Sequence, residues 1–573
     1  MGIKYFFSYF KNKFNNRIST VKREKNIIRK NNVEIDNFLL DMNGIFHNCA
    51  QKVYEYGNYK GLRNLFGDSK KSNFNRQKRF FAEVCSYIEM LFDMVEPQKR
   101  LVMCVDGVAP LSKQSQQRSR RFKSSLERKE GDDSFDPNCL TPGTLMMDHL
   151  SKYIDWFIHK KMTEDERWKK LEIIFSNEKN PGEGEHKLIN FIKKYGKDDE
   201  TYMIQGMDAD LIMLSLSTNK DKFWILREDH RSVKGDFFLI NVENFKSDVL
   251  DQLFWGIEGK TFNTDLAIYD FILMCFSIGN DFLPNVPTIE ILDGGMELMF
   301  ETYKNVGKTY GHLVARKKDG LQIQKKPLEI FFGTLAQYEN QVLNNKVNNK
   351  LGGYEDTLLG KYAVYNEKES KYDVDMKKYM RAYYKKKLNA VTADIPNICH
   401  DYLKGISWVL EYYTSGLPSW NWFYPHLYAP FLTDITKNIY NFPETIKWGK
   451  THPITPFQQL LCVLPTKSSN LIPSPLNKLL HEDSVISDFY PTEFEIDLEG
   501  KRNDWEGVPV LPFVELQRVN GAYYELISEV KENEKKRNKL GKSFIYRNVE
   551  PFTFKSYNGD IVNCTSSNEF ISI

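Results

Sequence analysis

The stretch IDNFLLDMNGIFHN (35–48) sets the pattern of the first half of the chain. Residues 35–41 form a short apolar run that reads as a strand, and the run ends on an acid, Asp41. The arrangement recurs downstream. Asp106 closes LVMCVD (101–106), and Asp208 and Asp210 in GMDADLIML (206–214) follow YMIQ (202–205). Glu183 and Glu185 stand in NPGEGEHK (180–187), and Asp281 stands in SIGNDFLP (277–284). Acids at or just past strand ends lie where α/β folds place their chemistry.

Working outward, strands are predicted at 35–41, 100–105, 171–175, 201–205, 222–227 and 236–241. Helices are predicted at 77–95, 110–130, 142–162, 185–195 and 264–278. This alternation implies an α/β fold with a mostly parallel central sheet flanked by helices. Residues 1–300 are read as the core carrying the site, 301–400 as a connecting region of helices and loops, and 401–573 as a second, mainly helical block. KVNNKLGGYED (346–356) reads as an exposed loop, and HDYLKGISWVLEYYTSG (400–416) as a helix ended at Gly416. EVKENEKKRNKLGK (529–542) reads as a charged helix or loop. The N-terminal MGIKYFFSYFKNKF (1–14) reads as an amphipathic helix docked on the body. It lacks a signal-peptide cleavage pattern, and Phe6 stands where a myristoylation signal needs Ser or Thr.

The chain has 573 residues, 41% of them hydrophobic and 14% aromatic, enough for substantial cores and unlike a disordered chain. No apolar run is long enough to span a membrane. The eight cysteines include no C-x-x-C pair, which argues against zinc and for buried thiols in a reducing compartment. The net charge of +3 says little, but its distribution says more. One acidic focus and one basic run, KQSQQRSRRFKSSLERK (113–129), are the division expected of a nucleic-acid enzyme.

Seven converging carboxylates repel one another unless they are neutralised, and hard divalent cations do this best. Any one of them alone is more often a cap or turn residue; all seven together are not. Residues two apart share a face only on extended backbone, so PGEGE and MDAD are expected to be extended or turn-like. Two metals about 4 Å apart would activate a water and stabilise the leaving oxygen in phosphodiester cleavage. Lys113, Gln117, Arg120 and Arg121 are spaced to share one helix face and suit a phosphate. His47 is a candidate for stacking on a first base, as are Trp420 and Trp422, against the commoner fate of core packing.

Several strings resemble the eukaryotic 5′→3′ exoribonuclease (Xrn) family. They include LLDMNGIFHNCAQ (39–51), VDGVAPLSKQSQQRSRRF (105–122), NEKNPGEGEHKLI (177–189), GMDADLIMLSL (206–216) and FSIGNDFLPNVP (276–287). Later come YLKGISWVLEYYTSGLPSWNWFYPHLYAP (402–430) and ISDFYPTEFEIDLEGKRNDWEGVPVLPF (486–513). The resemblance implies a PIN/flap-endonuclease-like core completed by the second block. It implies two Mg²⁺ or Mn²⁺ ions on Asp41, Asp106, Glu183, Glu185, Asp208, Asp210 and Asp281. It further implies a 5′-phosphate pocket of Lys113, Gln117, Arg120 and Arg121, and base stacking by His47 and one of Trp420 and Trp422. The expected substrate is single-stranded RNA with a 5′-monophosphate, degraded processively to mononucleotides. A monomer, a link to the decapping machinery and no membrane association are also expected. Lys4 departs from the Pro usual in the family, in a segment that in relatives lies beside the RNA channel and helps exclude duplex. The family's long cytoplasmic-type extension is absent, and so is the Cys-bearing insertion of nuclear members. The chain thus resembles a compact cytoplasmic type, and its Lys, Asn, Ile and Tyr content suggests a protist or a large DNA virus, acting in the host cytoplasm. The competing readings are a structure-specific flap-type endonuclease and a non-catalytic RNA-binding scaffold. The closed basic cluster argues against the first and the intact acids against the second.

Overall fold

A computed structural model of the chain describes residues 2–14, 17–59, 73–128, 135–230, 232, 235–318, 320–349, 353–443, 445–555 and 561–573. The centre is a nine-stranded sheet. Its strands are β1 (Ile18–Val21), β2 (Asn37–Asp41), β3 (Arg100–Cys104), β4 (Glu172–Ser176), β5 (Tyr202–Gln205), β6 (Phe223–Glu228), β7 (Phe237–Asn241), β8 (Ser543–Lys555) and β9 (Ile561–Ile571). The spatial order is β1-β7-β6-β5-β2-β3-β4-β8-β9. The five inner strands β6-β5-β2-β3-β4 are parallel, and the outer strands on both sides are antiparallel.

All six predicted strands form. They are short apolar runs because a parallel sheet is buried on both faces. Alternate residues serve opposite cores: Leu39, Val102, Ile174 and Ile204 on one side, Leu40, Leu101, Ile173 and Met203 on the other. The helices α1 (Phe6–Lys13), α2 (Met42–Tyr54), α3 (Asn73–Val95), α4 (Leu111–Ser125), α5 (Leu145–Glu164), α6 (Gly184–Tyr195), α7 (Asp210–Ser217) and α8 (Thr264–Cys275) cover these faces or border the site. The docked N-terminal helix is present, with Phe6 and Phe10 buried.

The second half adds α9 (Met376–Leu388) and α10 (Ile395–Thr414), with Gly416 at φ 121° just beyond. The expected exposed loop is helical through Asn348, and its residues 350–352 lie outside the described residues. The end of the predicted helix 110–130 and of the basic run 113–129 lies outside them too. Within the second, mainly helical block the C-terminal segment supplies two strands: β8 pairs with β4 through Ile545↔Ile174, so it extends the first sheet. Among the described residues no helix is long and apolar enough to cross a membrane.

Candidate active site

The chain runs from β2 outward to β3 and β4, then returns to the other flank of β2 as β5. Such a reversal leaves a crevice at the carboxyl ends of the strands. Asp41 is the last residue of β2, Asp106 lies just past β3, Glu183 lies between β4 and α6, and Asp208 lies between β5 and α7. The sheet therefore delivers acids from four adjacent strand ends to one place.

The glutamate pair straddles a helix start. Glu183 is extended (φ −72°, ψ 144°) and Glu185 sits in the first turn of α6. The aspartate pair does the same, with Asp208 ahead of α7 and Asp210 opening it. Neither pair is extended throughout. A helix N-terminus stabilises negative charge, which offsets part of the repulsion. Gly184 is required by close approach. A Cβ there would lie 2.9 Å from Asp41 Oδ1, 3.0 Å from the Cys104 carbonyl oxygen and 3.3 Å from Asp106 Oδ1.

A cavity of about 450 Å³ opens here. Asp41, Asp106, Glu183, Glu185 and Asp208 line it together with His47, Lys113, Gln117, Arg120 and Arg121. Asp210 and Asp281 are not in this lining and are held from behind. Tyr413 OH donates to Asp210 Oδ2 at 2.8 Å, and the Ile3 N–H donates to Asp210 Oδ1 at 3.3 Å. The Gly2 N–H donates to Asp281 Oδ1 at 3.0 Å. Asn43 Nδ2 donates to Asp106 Oδ2 at 2.8 Å, Gly184 N–H to Asp106 Oδ1 at 2.6 Å, and Tyr412 OH to Glu183 Oε1 at 3.0 Å. Asn43, Tyr412, Tyr413 and the N-terminal amides were not singled out from sequence. Only Asn43 carried a signal, its place two residues after Asp41.

Lys113 departs from expectation. It lies on α4 with Gln117 and Arg121, but its Nζ pairs with Glu183 Oε2 at 2.6 Å and Asp281 Oδ2 at 2.7 Å. Burial would strip its proton, yet Asp281 and Glu183 hold its pKa well above the usual lysine value. Burial also pushes Asp41 and Glu185 up, reinforced for both by Asp208 and for Asp41 also by Asp106. Asp210 is pushed up to about 7 by burial and by Asp281. Asp281 is the exception: burial raises it, but Lys113 holds it down to about 2.

Among the described residues no three acidic, histidine or cysteine side chains converge tightly enough to grip an ion, and Lys113 pairs with two of the acids, Glu183 and Asp281. The donor chemistry nonetheless suits a hard divalent cation. It is all oxygen, and the buried Glu185 Oε2 has no hydrogen-bond partner. Farther along the cavity, the buried Gln117 Oε1 and Arg121 Nη1 also lack partners. Arg121 Nη1, a donor, lines the cavity with Arg120 and suits an incoming oxyanion, whereas Gln117 Oε1 is an acceptor and would take a hydrogen bond from a donor. His47 is neutral there, its pKa lowered to about 4 by burial and by Arg120 and Arg121.

The tryptophans expected to stack do not line the cavity. Trp422 packs between Trp408 and Trp448, with ring centroids 5.2 and 6.1 Å away. Trp420 is half-buried, its carbonyl accepting from Leu111 N–H at 2.8 Å at the start of α4. Among the described residues Trp505 is the exposed tryptophan, at 57%. Its ring lies 5.6 Å from that of Tyr5 and 5.8 Å from Lys4 Nζ, on the N-terminal segment that holds Asp281 and Asp210.

Fold and site together define an α/β protein whose carboxylate cluster faces a basic helix across one cavity. Residues 1–229 match the family model described as XRN 5′-3′ exonuclease N-terminus, and residues 261–379 and 356–572 match the Xrn1 helical domain. The chain belongs to the Xrn 5′-3′ exonuclease family. It is similar to "5′-3′ exoribonuclease 1" of Saccharomyces cerevisiae, 31% identical over 90% of this chain and 43% of that protein. It is also similar to the protein of the same name from Homo sapiens, 32% identical over 94% of this chain and 35% of that protein. The chain thus spans less than half the length of these two relatives. A solved structure of the catalytic core of Rad2 in complex with DNA substrate covers 69% of this chain and 98% of that one. Its identity is 13% and its TM-score 0.31, a slight likeness.

Proposed function

We propose that this chain is a metal-dependent, processive 5′→3′ exoribonuclease that takes 5′-monophosphorylated single-stranded RNA and releases mononucleotides. The observation that carries this reading is one cavity lined by five of the acids and by Gln117, Arg120 and Arg121. In this reading a 5′-phosphate held by that basic face would present the first phosphodiester to the carboxylates.

Asp41, Asp106, Glu183, Glu185, Asp208, Asp210 and Asp281 would hold two Mg²⁺ or Mn²⁺ ions. When bound, such ions supply charge that activates a water and stabilises the leaving oxygen. The protein's own part is orientation. Asn43 and the Gly184 amide fix Asp106, Tyr412 fixes Glu183, and Tyr413 fixes Asp210. His47, kept neutral, offers a flat ring to the first base. Trp505 with Tyr5, rather than Trp420 or Trp422, offers an exposed second surface for following bases.

In this reading the enzyme acts in RNA decay in the cytoplasm, as a monomer. It follows a decapping reaction, which supplies the 5′-monophosphate it requires. The test is digestion of one labelled RNA bearing a 5′-monophosphate, triphosphate, hydroxyl or cap, with Mg²⁺ and with EDTA. Mononucleotide release from the monophosphate form alone, lost in EDTA, is the expected result. Equal cutting of all four ends, or internal fragments, would favour an end-independent endonuclease.

A further inference from the structure

Away from the cavity, α9 carries Lys377, Arg381 and Lys385 at i, i+4 and i+8. All three are exposed, on the face opposite the buried Tyr379 and Tyr383. Other cations of this helix are paired: Lys378 with Asp375 at 2.9 Å, and Lys386 and Lys387 with Glu499, each at 2.7 Å. The stripe stands apart from these pairs. Its members lie about 6 Å apart along the axis, a ladder that a nucleic-acid backbone can match phosphate for phosphate.

Two further observations point to the same partner. The hairpin Ala363–Asn366 and Lys371–Val374 leads directly into α9 and exposes Tyr365 (52%) and Tyr372 (45%), their rings 5.2 Å apart. Residues 361–387 hold nine Lys and Arg against four Asp and Glu, a larger surplus than the +3 of the whole chain. Exposed aromatic rings beside unpaired cations are the composition of a single-strand platform. The Lys386 and Lys387 pairs tie the C-terminal turn of α9 to Glu499, six residues before Trp505.

We infer that this face of α9, with the Tyr365–Tyr372 hairpin, is a second RNA-binding surface that holds the body of the substrate beyond the cavity. The choice of RNA as the polyanion rests on the exoribonuclease reading; the surface itself does not.

The test is binding of a 30-nucleotide RNA with a 5′-hydroxyl, which bypasses the phosphate pocket, followed by fluorescence anisotropy over a salt series. K377Q/R381Q/K385Q should bind about tenfold more weakly at low salt, and its slope of log affinity against log salt should fall by about two, roughly 0.7 for each phosphate contact removed. Y365S/Y372S should weaken binding with the slope unchanged. Circular dichroism melts should match wild type, since these side chains are exposed. Turnover of a 5′-monophosphorylated tetranucleotide should be the same in all three proteins. Affinity and slope equal to wild type in the triple variant would overturn the inference. A wild-type protein that leaves the tetranucleotide intact would defeat the exoribonuclease reading instead, and the binding comparison would still decide the surface.

Discussion

Lys113 and Asp281, 168 residues apart, meet with Nζ 2.7 Å from Oδ2, and the same ammonium lies 2.6 Å from Glu183 Oε2. One buried cation thereby serves two acids of a cluster in which burial pushes Asp41, Glu185 and Asp210 toward protonation. A buried pair broken on one side leaves an uncompensated charge, at a cost of about 3–5 kcal/mol. In EDTA, Lys113→Met should therefore melt well below wild type by calorimetry. Mn²⁺ should raise its melting temperature more than that of wild type, because the ion then replaces missing charge and binds the native state alone. Equal Mn²⁺ increments in the two proteins would show that Lys113 does not share the acids' charge with the metal.

Gly184→Ala tests the convergence of Asp41 and Asp106. The added methyl would lie 2.9 Å from Asp41 Oδ1 and 3.0 Å from a backbone oxygen, so the carboxylate must yield. A displacement of about 1 Å costs roughly a hundredfold in rate. Nucleotide release should fall by about that factor, while RNA affinity in EDTA stays within a few-fold. Wild-type turnover in this variant would mean that the approach of the two aspartates is not needed.

His47 gives a pH signature. Burial, then Arg120 and Arg121, lower its pKa to about 4. In the unfolded chain it takes a proton near pH 6.5. Between those values the unfolded state binds the extra proton, so stability must fall as pH falls from about 6.5 toward 4. His47→Gln lacks this contribution. The urea midpoint of wild type relative to His47→Gln should drop steadily across that window and flatten above it. A difference independent of pH would show that the imidazole is not held neutral.

The inner sheet was legible because β2 to β7 are apolar runs bounded by turns, and a doubly covered sheet demands that pattern. Asp41, Asp106 and Asp208 were legible as candidates because they mark the ends of those runs. The outer strands were not. β1 (ISTV) is short and half polar, and β8 pairs with β4 across 371 residues, at Ile174↔Ile545, a contact no local pattern encodes. The role of Lys113 was hidden for the same reason. Its helical spacing with Gln117 and Arg121 was right, but only tertiary packing brings Asp281 beneath it. Exposure was hidden as well, so the tryptophans of PSWNW stood out as stacking candidates while Trp505, within the 486–513 string, did not.

The tryptophans separate stability from binding. Trp422 touches Trp408 and Trp448 and lies 3.0 Å from the point a Cβ on Gly405 would occupy, so its half-buried ring packs against the core. Trp422→Ala should cost about 3–5 kcal/mol of stability, read as a lowered denaturation midpoint. Trp505 is 57% exposed and packs chiefly on Tyr5, so Trp505→Ala should leave the midpoint near wild type. It should instead weaken binding of single-stranded RNA by about 1–3 kcal/mol, the worth of one stacked base. The double variant Tyr5→Ala/Trp505→Ala should lose little more than Trp505→Ala, because both rings build one surface and neighbouring effects do not add. Full RNA affinity in Trp505→Ala, with a loss in a folded Trp420→Ala, would return the stacking role to the half-buried tryptophan at the start of α4.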